Sequence, residues 1–303
     1  MSQAENSGII VRSRSGFYTV HTPSGDVTCQ MRGRLKEERL NSSLAAVGDK
    51  VEISRLPDGS GVLESILPRG KSFFRMAPTA RGEFKQVMLA NPDQVVLVFA
   101  CANPDPSFRM LDRFLVITEK QQIPVVIVVN KTDLIGVDAA KSLFSVYPGL
   151  GYRVIFTSAI DETGVEELKQ VLIRKISALS GPSGVGKSSL LNRIQPELGL
   201  KIGALKELTQ KGRHTTVVRE LFPLDDGGFV ADMPGLRTLS LWDTQPEELD
   251  GYFPELRGLV ENCQFSNCSH ISEPGCAVKK AVESGKVSSQ RYESYIRLRL
   301  GDS

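Results

Sequence analysis

Short alternating apolar and polar stretches fill residues 8–67, and longer unbroken apolar runs begin at Val95. In the first region Gly8-Ile-Ile-Val-Arg-Ser, Phe17-Tyr-Thr-Val-His, Val27-Thr-Cys-Gln-Met, Lys50-Val-Glu-Ile-Ser and Gly61-Val-Leu-Glu-Ser-Ile-Leu read as strands. Ser24-Gly25, Gly48-Asp49 and Asp58-Gly59 are turn signals between them. So many short strands predict a small barrel. An OB-fold is the leading expectation, with another small β-barrel close behind.

The second region has a different period. Val95–Ala100, Val125–Val129, Val154–Thr157, Ile176–Ser180 and Phe229–Ala231 are short, β-branched and bounded by turns, as buried parallel strands are. Ser107–Gln121, Gly164–Arg174 and Lys187–Ile194 carry helical spacing between them. Alternating strands and helices predict an α/β domain with a parallel sheet covered on both faces. From Pro68 to Gln86 the texture is that of a basic linker with little secondary structure: Arg69, Lys71, Arg75, Arg81 and Lys85 face one acid, Glu83. After Leu241 the pattern turns helical at Pro246–Tyr252 and Ala277–Leu300, with a cysteine-rich loop between. The expected architecture is therefore multidomain. Residues 1–68 form the barrel, 69–241 the basic linker and α/β domain, and 242–303 a mostly helical domain.

Composition narrows the class. The 303 residues are 41% hydrophobic and 24% charged, ordinary for a globular protein. No apolar run approaches the roughly 20 residues that span a bilayer. The first residues lack a basic stretch followed by an apolar core, so no signal peptide is expected. Five cysteines, three of them between Cys263 and Cys276, argue for a metal site in a reducing compartment rather than a disulfide framework. These features predict a cytoplasmic protein without membrane contact, and a monomer. Net charge is only +2, so any basic surface must be local.

The chemistry lies at the ends of the predicted strands. Gly181-Pro182-Ser183-Gly184-Val185-Gly186-Lys187-Ser188 matches the phosphate-loop pattern, and Ser189 continues into a helix. Glycines let the backbone N–H groups wrap phosphates, and the helix N-terminus favours anions. Lys187 is placed to reach the β- and γ-phosphates, and Ser188 to ligate Mg²⁺. Asn130-Lys131-Thr132-Asp133 ends another strand. Its aspartate can accept from the guanine N1–H and exocyclic amine, Asn130 can contact the base edge, and the Lys131 stem can cover the ring. Ser158 and Ala159, after the next strand, fit the loop whose backbone N–H meets the guanine oxygen. Asp232-Met-Pro-Gly235 fits a switch, with Asp232 toward Mg²⁺ and the Gly235 N–H toward the γ-phosphate. Between phosphate loop and switch stands Lys211-Gly-Arg-His214-Thr215-Thr216. One of the two threonines is expected to close on Mg²⁺, Thr215 slightly favoured over Thr216. His214 is a candidate to position water, with RNA contact or plain packing as the alternative.

The loops are out of their usual order, because the base-reading loops precede the phosphate loop. Chain termini often lie close, so joining them and cutting elsewhere is tolerated. Here the cut follows the switch, which runs directly into the C-terminal domain. There Cys263, Cys268, His270 and Cys276 have the spacing C-x₄-C-x-H-x₅-C, three thiolates and one imidazole for a closed structural Zn²⁺ shell.

This set of residues resembles the circularly permuted, small-ribosomal-subunit-dependent GTPases of the RsgA (YjeQ) family over nearly the whole chain. Pro182 and Met233 stand where that family often has glutamine and threonine. The resemblance implies an OB-fold, a permuted G domain and a zinc domain. It implies a GTPase that uses GTP/GDP, Mg²⁺ and one zinc ion. Its partners would be the small ribosomal subunit and its rRNA, in late maturation, with hydrolysis stimulated by the subunit. Two other readings compete: a nucleotide-sensing adaptor, and a metabolic kinase, for which the Asn130–Asp133 loop has no use.

Overall fold

The computed structural model describes residues 6–33, 35, 42–79, 82–198, 218, 220–233 and 244–301. The chain divides into two compact units. One comprises Met1–Val96, Glu166–Ser180 and Lys187–Leu239, the other Leu97–Val165, Gly181–Gly186 and Ser240–Ser303.

Five strands close the N-terminal barrel: β1 (Ser7–Arg14), β2 (Phe17–Thr22), β3 (Gly25–Met31), β4 (Lys50–Arg55) and β5 (Gly61–Ile66). Their order is β1-β2-β3-β5-β4, with β3 and β5 parallel and β1 closing antiparallel on β4. That order decides between the two sequence expectations in favour of an OB-like barrel. Alternation supplies its core, and Ile10, Val20, Val51 and Leu63 have no exposed surface.

The linker differs from expectation. Ser72–Thr79 (β6) and Gly82–Ala90 (β7) form an antiparallel ribbon. Cationic and glycine positions mask the strand signal, but Phe73, Val87 and Leu89 are buried along it. Pro78 is accommodated because a two-stranded ribbon has free edges. Arg69 is not a surface cation either. Its guanidinium forms two hydrogen bonds, of 2.7 and 2.8 Å, to the fully buried carboxylate of Asp49. It also donates to the Ser43 and Leu44 carbonyls.

The remaining strands are β8 (Gln94–Ala100), β9 (Val125–Asn130), β10 (Arg153–Phe156), β11 (Ile176–Ser180), β12 (Phe222–Pro223) and β13 (Phe229–Asp232). The sheet order is β10-β9-β8-β11-β13-β12. β9 and β10 pair in parallel, as do β11 and β13, while the two-residue β12, absent from the sequence pattern, adds an antiparallel edge. The helices are α1 (Phe108–Lys120), α2 (Val137–Leu143), α3 (Val165–Leu172) and α4 (Lys187–Ile194). Ser107 caps α1 by accepting from the Met110 N–H.

In the C-terminal region Pro246–Tyr252 is a 3₁₀ helix. The single helix expected over Ala277–Leu300 is two, α5 (Ala277–Glu283) and α6 (Ser289–Arg299). The break follows from Gly285, which takes a left-handed φ of 76° after the Ser284 cap. Leu249, Phe253, Val278 and Tyr295 form the core here, joined by Val116 of α1. Arg291 of α6 is buried too. It bonds Asp112 of α1 at 2.7 Å and Glu255 at 2.6 and 3.1 Å, and its guanidinium lies over the Phe253 ring. Burial alone would lower the pKa of Arg291, and the two carboxylates turn that into a rise. Among the described residues no helix is long and apolar enough to cross a membrane.

Candidate nucleotide site and metal centre

The phosphate loop follows the fully buried strand β11 and leads into α4. Two glycines are required by close approach. A Cβ on Gly181 would sit 2.0 Å from the Val98 carbonyl oxygen, and one on Gly186 2.3 Å from Nδ2 of Asn130. Within the loop Val185 is buried while Ser183 and Gly184 are exposed. Lys187 opens α4, Ser188 is buried behind it, and Ser189 is half-buried.

Asn130 ends β9. Its side chain is 1% exposed. Nδ2 donates to the Val185 carbonyl at 2.8 Å, and Oδ1 accepts from the Thr157 hydroxyl at 3.1 Å. The carboxamide therefore ties the phosphate loop to the β10 end with one of its two N–H donors and one lone pair of its oxygen.

Lys131 sits in the left-handed region at φ 66°, ψ 36°, a conformation costing a side-chain-bearing residue roughly 1–2 kcal/mol. Its ammonium donates to the Asn103 carbonyl. The 3₁₀ turn Thr132–Leu134 follows and presents Asp133 at the surface. Thr132 is held from both its N–H and its hydroxyl by the Thr157 carbonyl, each at 3.1 Å. Ser158 donates its hydroxyl to Oδ1 of Asp133 at 2.7 Å. The Ser158 Oγ accepts in turn from the N–H groups of Ile160 and Asp161, at 3.2 and 3.3 Å. A serine hydroxyl has one donor and two acceptor sites, and all are in use. Sequence reasoning placed Ser158 and Ala159 here only for their backbone. The hydroxyls of Thr157 and Ser158 were the available signal.

At the end of β13 the Met233 N–H donates to the Leu179 carbonyl at 2.8 Å, and the Ser180 hydroxyl to the Met233 carbonyl at 3.0 Å. Asp232 is the last residue of β13. Its carboxylate and the Ser188 hydroxyl are hard oxygen groups of the kind Mg²⁺ takes. His214, Thr215, Thr216 and Gly235 lie outside the described residues.

Cys263, Cys268, His270 and Cys276 gather with all four ligand atoms within 4.8 Å of one another. Cys263 Sγ lies 3.5 Å from His270 Nδ1 and 4.0 Å from Cys276 Sγ, and Nδ1 lies 3.4 Å from Cys276 Sγ. A tetrahedron with Zn–S and Zn–N bonds of ordinary length has edges of about 3.5–3.8 Å, so the cluster fits one zinc ion. Burial pushes the Cys268 thiol up to about 12, so its thiolate form calls for a neighbouring cation. The other ring nitrogen of His270 faces Oδ2 of Asp250 at 3.2 Å, the usual outer partner that orients a metal-binding imidazole. Tyr292 and Tyr295 donate to the carbonyls of His270 and Ser269.

A GTPase whose base-reading loops come first and whose switch comes last is the class this arrangement defines: circularly permuted, with an OB-like barrel before it and a metal module behind. Residues 66–242 match the RsgA GTPase family and residues 7–63 the RsgA N-terminal domain. The chain is 45% identical over 297 residues to a small ribosomal subunit biogenesis GTPase RsgA of Gemmatimonas aurantiaca, covering 97% of this chain and 96% of that one. It is 40% identical to the protein of the same name from Thermotoga maritima, covering 96% and 95%. The crystal structure of YjeQ from Thermotoga maritima superposes with a TM-score of 0.77 at 39% identity, covering 98% of each chain. That of YloQ, described as a circularly permuted GTPase, gives 0.74 at 32% identity, covering 98% of this chain and 94% of that one. The chain belongs to the RsgA GTPase family.

Proposed function

We propose that this protein is a GTP-hydrolysing assembly factor that acts on the small ribosomal subunit late in its maturation, in the cytoplasm and as a monomer. The observation that carries the guanine reading is the Asp133 carboxylate, fixed by Ser158 at the mouth of a loop that Asn130 ties to the phosphate loop. The subunit reading rests on the relatives' shared name over almost their whole length. Domain limits at 68/69 and 241/242 go with this reading.

In this assignment Asp133 accepts from the guanine N1–H and amine, and the Lys131 stem covers one ring face. Gly181, Pro182, Ser183, Gly184, Val185, Gly186 and Ser189 line the phosphates by their backbone, and Lys187 neutralises charge on the β- and γ-oxygens. Ser188, Asp232 and one of Thr215 or Thr216 hold Mg²⁺, which when bound spreads the developing phosphate charge. Gly235 offers its N–H to the γ-phosphate, and the Ala159 N–H meets the guanine oxygen. Leu236 follows the switch, where many GTPases carry a water-orienting glutamine, and an aliphatic side chain cannot do that work. His214 is assigned to position the attacking water once rRNA meets the basic residues around it.

Sedimentation with isolated small subunits tests the function. Co-sedimentation in a non-hydrolysable GTP analogue and stimulated GTP turnover are the expected results. A protein that binds GTP yet neither sediments with subunits nor is stimulated by them is an adaptor of another kind. His214→Ala is expected to keep GTP and subunit binding and to lose the stimulation.

A further inference from the structure

One contact beneath the base-reading loop is outside every role assigned so far. Cys101 follows β8, is 4% exposed, and lies directly under Lys131. Its N–H donates to the Asn130 carbonyl at 3.0 Å, and its thiol donates to the Lys131 carbonyl at 3.1 Å. That carbonyl also accepts from the Leu134 N–H at 3.0 Å, which closes the turn carrying Asp133. Two residues beyond Cys101, the Asn103 carbonyl takes the Lys131 ammonium. The segment 101–103 thus grips Lys131 at both its carbonyl and its side-chain end.

We propose that Cys101 is a positioning residue for guanine recognition, its thiol holding the Lys131 peptide in the left-handed conformation from which Asp133 is aimed. The proposal rests on the reading of Asp133 as the base acceptor. Lys131 has a Cβ and does not adopt positive φ by preference. The peptide after it is held by the Leu134 N–H on its carbonyl and by its own N–H on Thr157, and the thiol adds a third bond. A turned peptide would rotate the Asp133 carboxylate away from Ser158. The thiol is the only side-chain donor to that oxygen among the described hydrogen bonds. It remains a thiol because burial above all, with the nearby Asp133 charge, raises its pKa.

The consequence is specific to the base. Guanine gives Asp133 two donors and hypoxanthine one. A pair of bonds tolerates misorientation less well than a single bond, which the carboxylate can follow by rotating. The test uses full-length protein in competition titrations with GDP, IDP and ADP against a fluorescent GDP. Cys101→Ala is expected to weaken GDP roughly two- to fivefold, the size of one weak hydrogen bond. IDP should weaken less, so that the GDP-to-IDP preference narrows. Cys101→Ser keeps a donor and is expected to restore the preference. A general loss of packing would lower both affinities together and leave the ratio unchanged, and that result overturns the proposal. So does a serine variant that behaves like alanine. Wild-type protein that binds GDP and ADP alike would remove the guanine reading itself, and the proposal with it.

Discussion

Asp133 carries the sharpest consequence at the residue scale. Its carboxylate is a pure acceptor, held at Oδ1 by Ser158. On the proposed reading, Asp133→Asn turns one acceptor oxygen into a donor that would face the guanine donors. Truncating a partner so that buried polar groups are left unpaired costs about 1–3 kcal/mol. The variant is expected to bind GTP roughly ten- to a hundredfold more weakly and xanthine nucleotides better. Equilibrium titration with both nucleotides checks this, and equal weakening of both would remove Asp133 from base reading. Asn130 shows how a residue can be placed by sequence while its protein partners stay hidden. Its position after a buried strand was legible. That its carboxamide points inward, to Val185 and Thr157, depends on how closely Gly186 lets the phosphate loop approach.

Elements are joined here by ion pairs that local pattern does not reveal. Arg69 read as one cation of a basic linker, and the structure turns it onto Asp49. Arg69→Ala leaves a fully buried carboxylate with the Ala46 N–H but no cation, with an expected loss of about 3 kcal/mol in urea unfolding. A mere linker residue would change stability by under about 0.5 kcal/mol. Arg291 is the second case. It joins α6 to Asp112 of α1 and to Glu255, and removing it leaves the buried Asp112 charge without a cation, with the Tyr147 hydroxyl still donating to it. Arg291→Ala is expected to cost about 3–5 kcal/mol, read as a lowered denaturation midpoint with unchanged slope. Of the six cations between Lys279 and Arg299, Lys280, Lys286 and Arg297 are exposed, whereas Arg291 is not. Salt-dependent binding to rRNA would draw on the former.

At the scale of the whole molecule the metal cluster matters most. The C-terminal core around Phe253, Val278 and Tyr295 includes Cys268 and Cys276 themselves, so the module packs around its own ligands. A site of this kind stabilises folding directly. Purified protein is expected to contain one zinc per chain, and Cys268→Ser to lose it. Exhaustive chelation should unfold the region beyond about residue 245, read by increased proteolysis there. Unchanged protection after zinc removal would make the cluster dispensable to the fold.

The sequence by itself determined five of the strands and three of the helices of the nucleotide-binding region, but not the helix Val137–Leu143 or the edge strand β12. It also determined the order of that region's loops, the barrel's five strands and the four cysteine and histidine positions. All of these are local. A buried strand, a glycine-rich turn and a ligand spacing each depend on residues within a few positions of one another. Only the tertiary structure decided the rest. It closed the barrel in the order β1-β2-β3-β5-β4, paired β6 with β7, and split the last helix at Gly285. It gave Arg69 a partner 20 residues away and Arg291 one 179 residues away. It set the Cys101 thiol under a carbonyl 30 residues further on. A charge or a thiol looks the same in sequence whether it faces water or a buried partner. The packing that removes water from around it is a property of distant segments meeting, and that decides which it is.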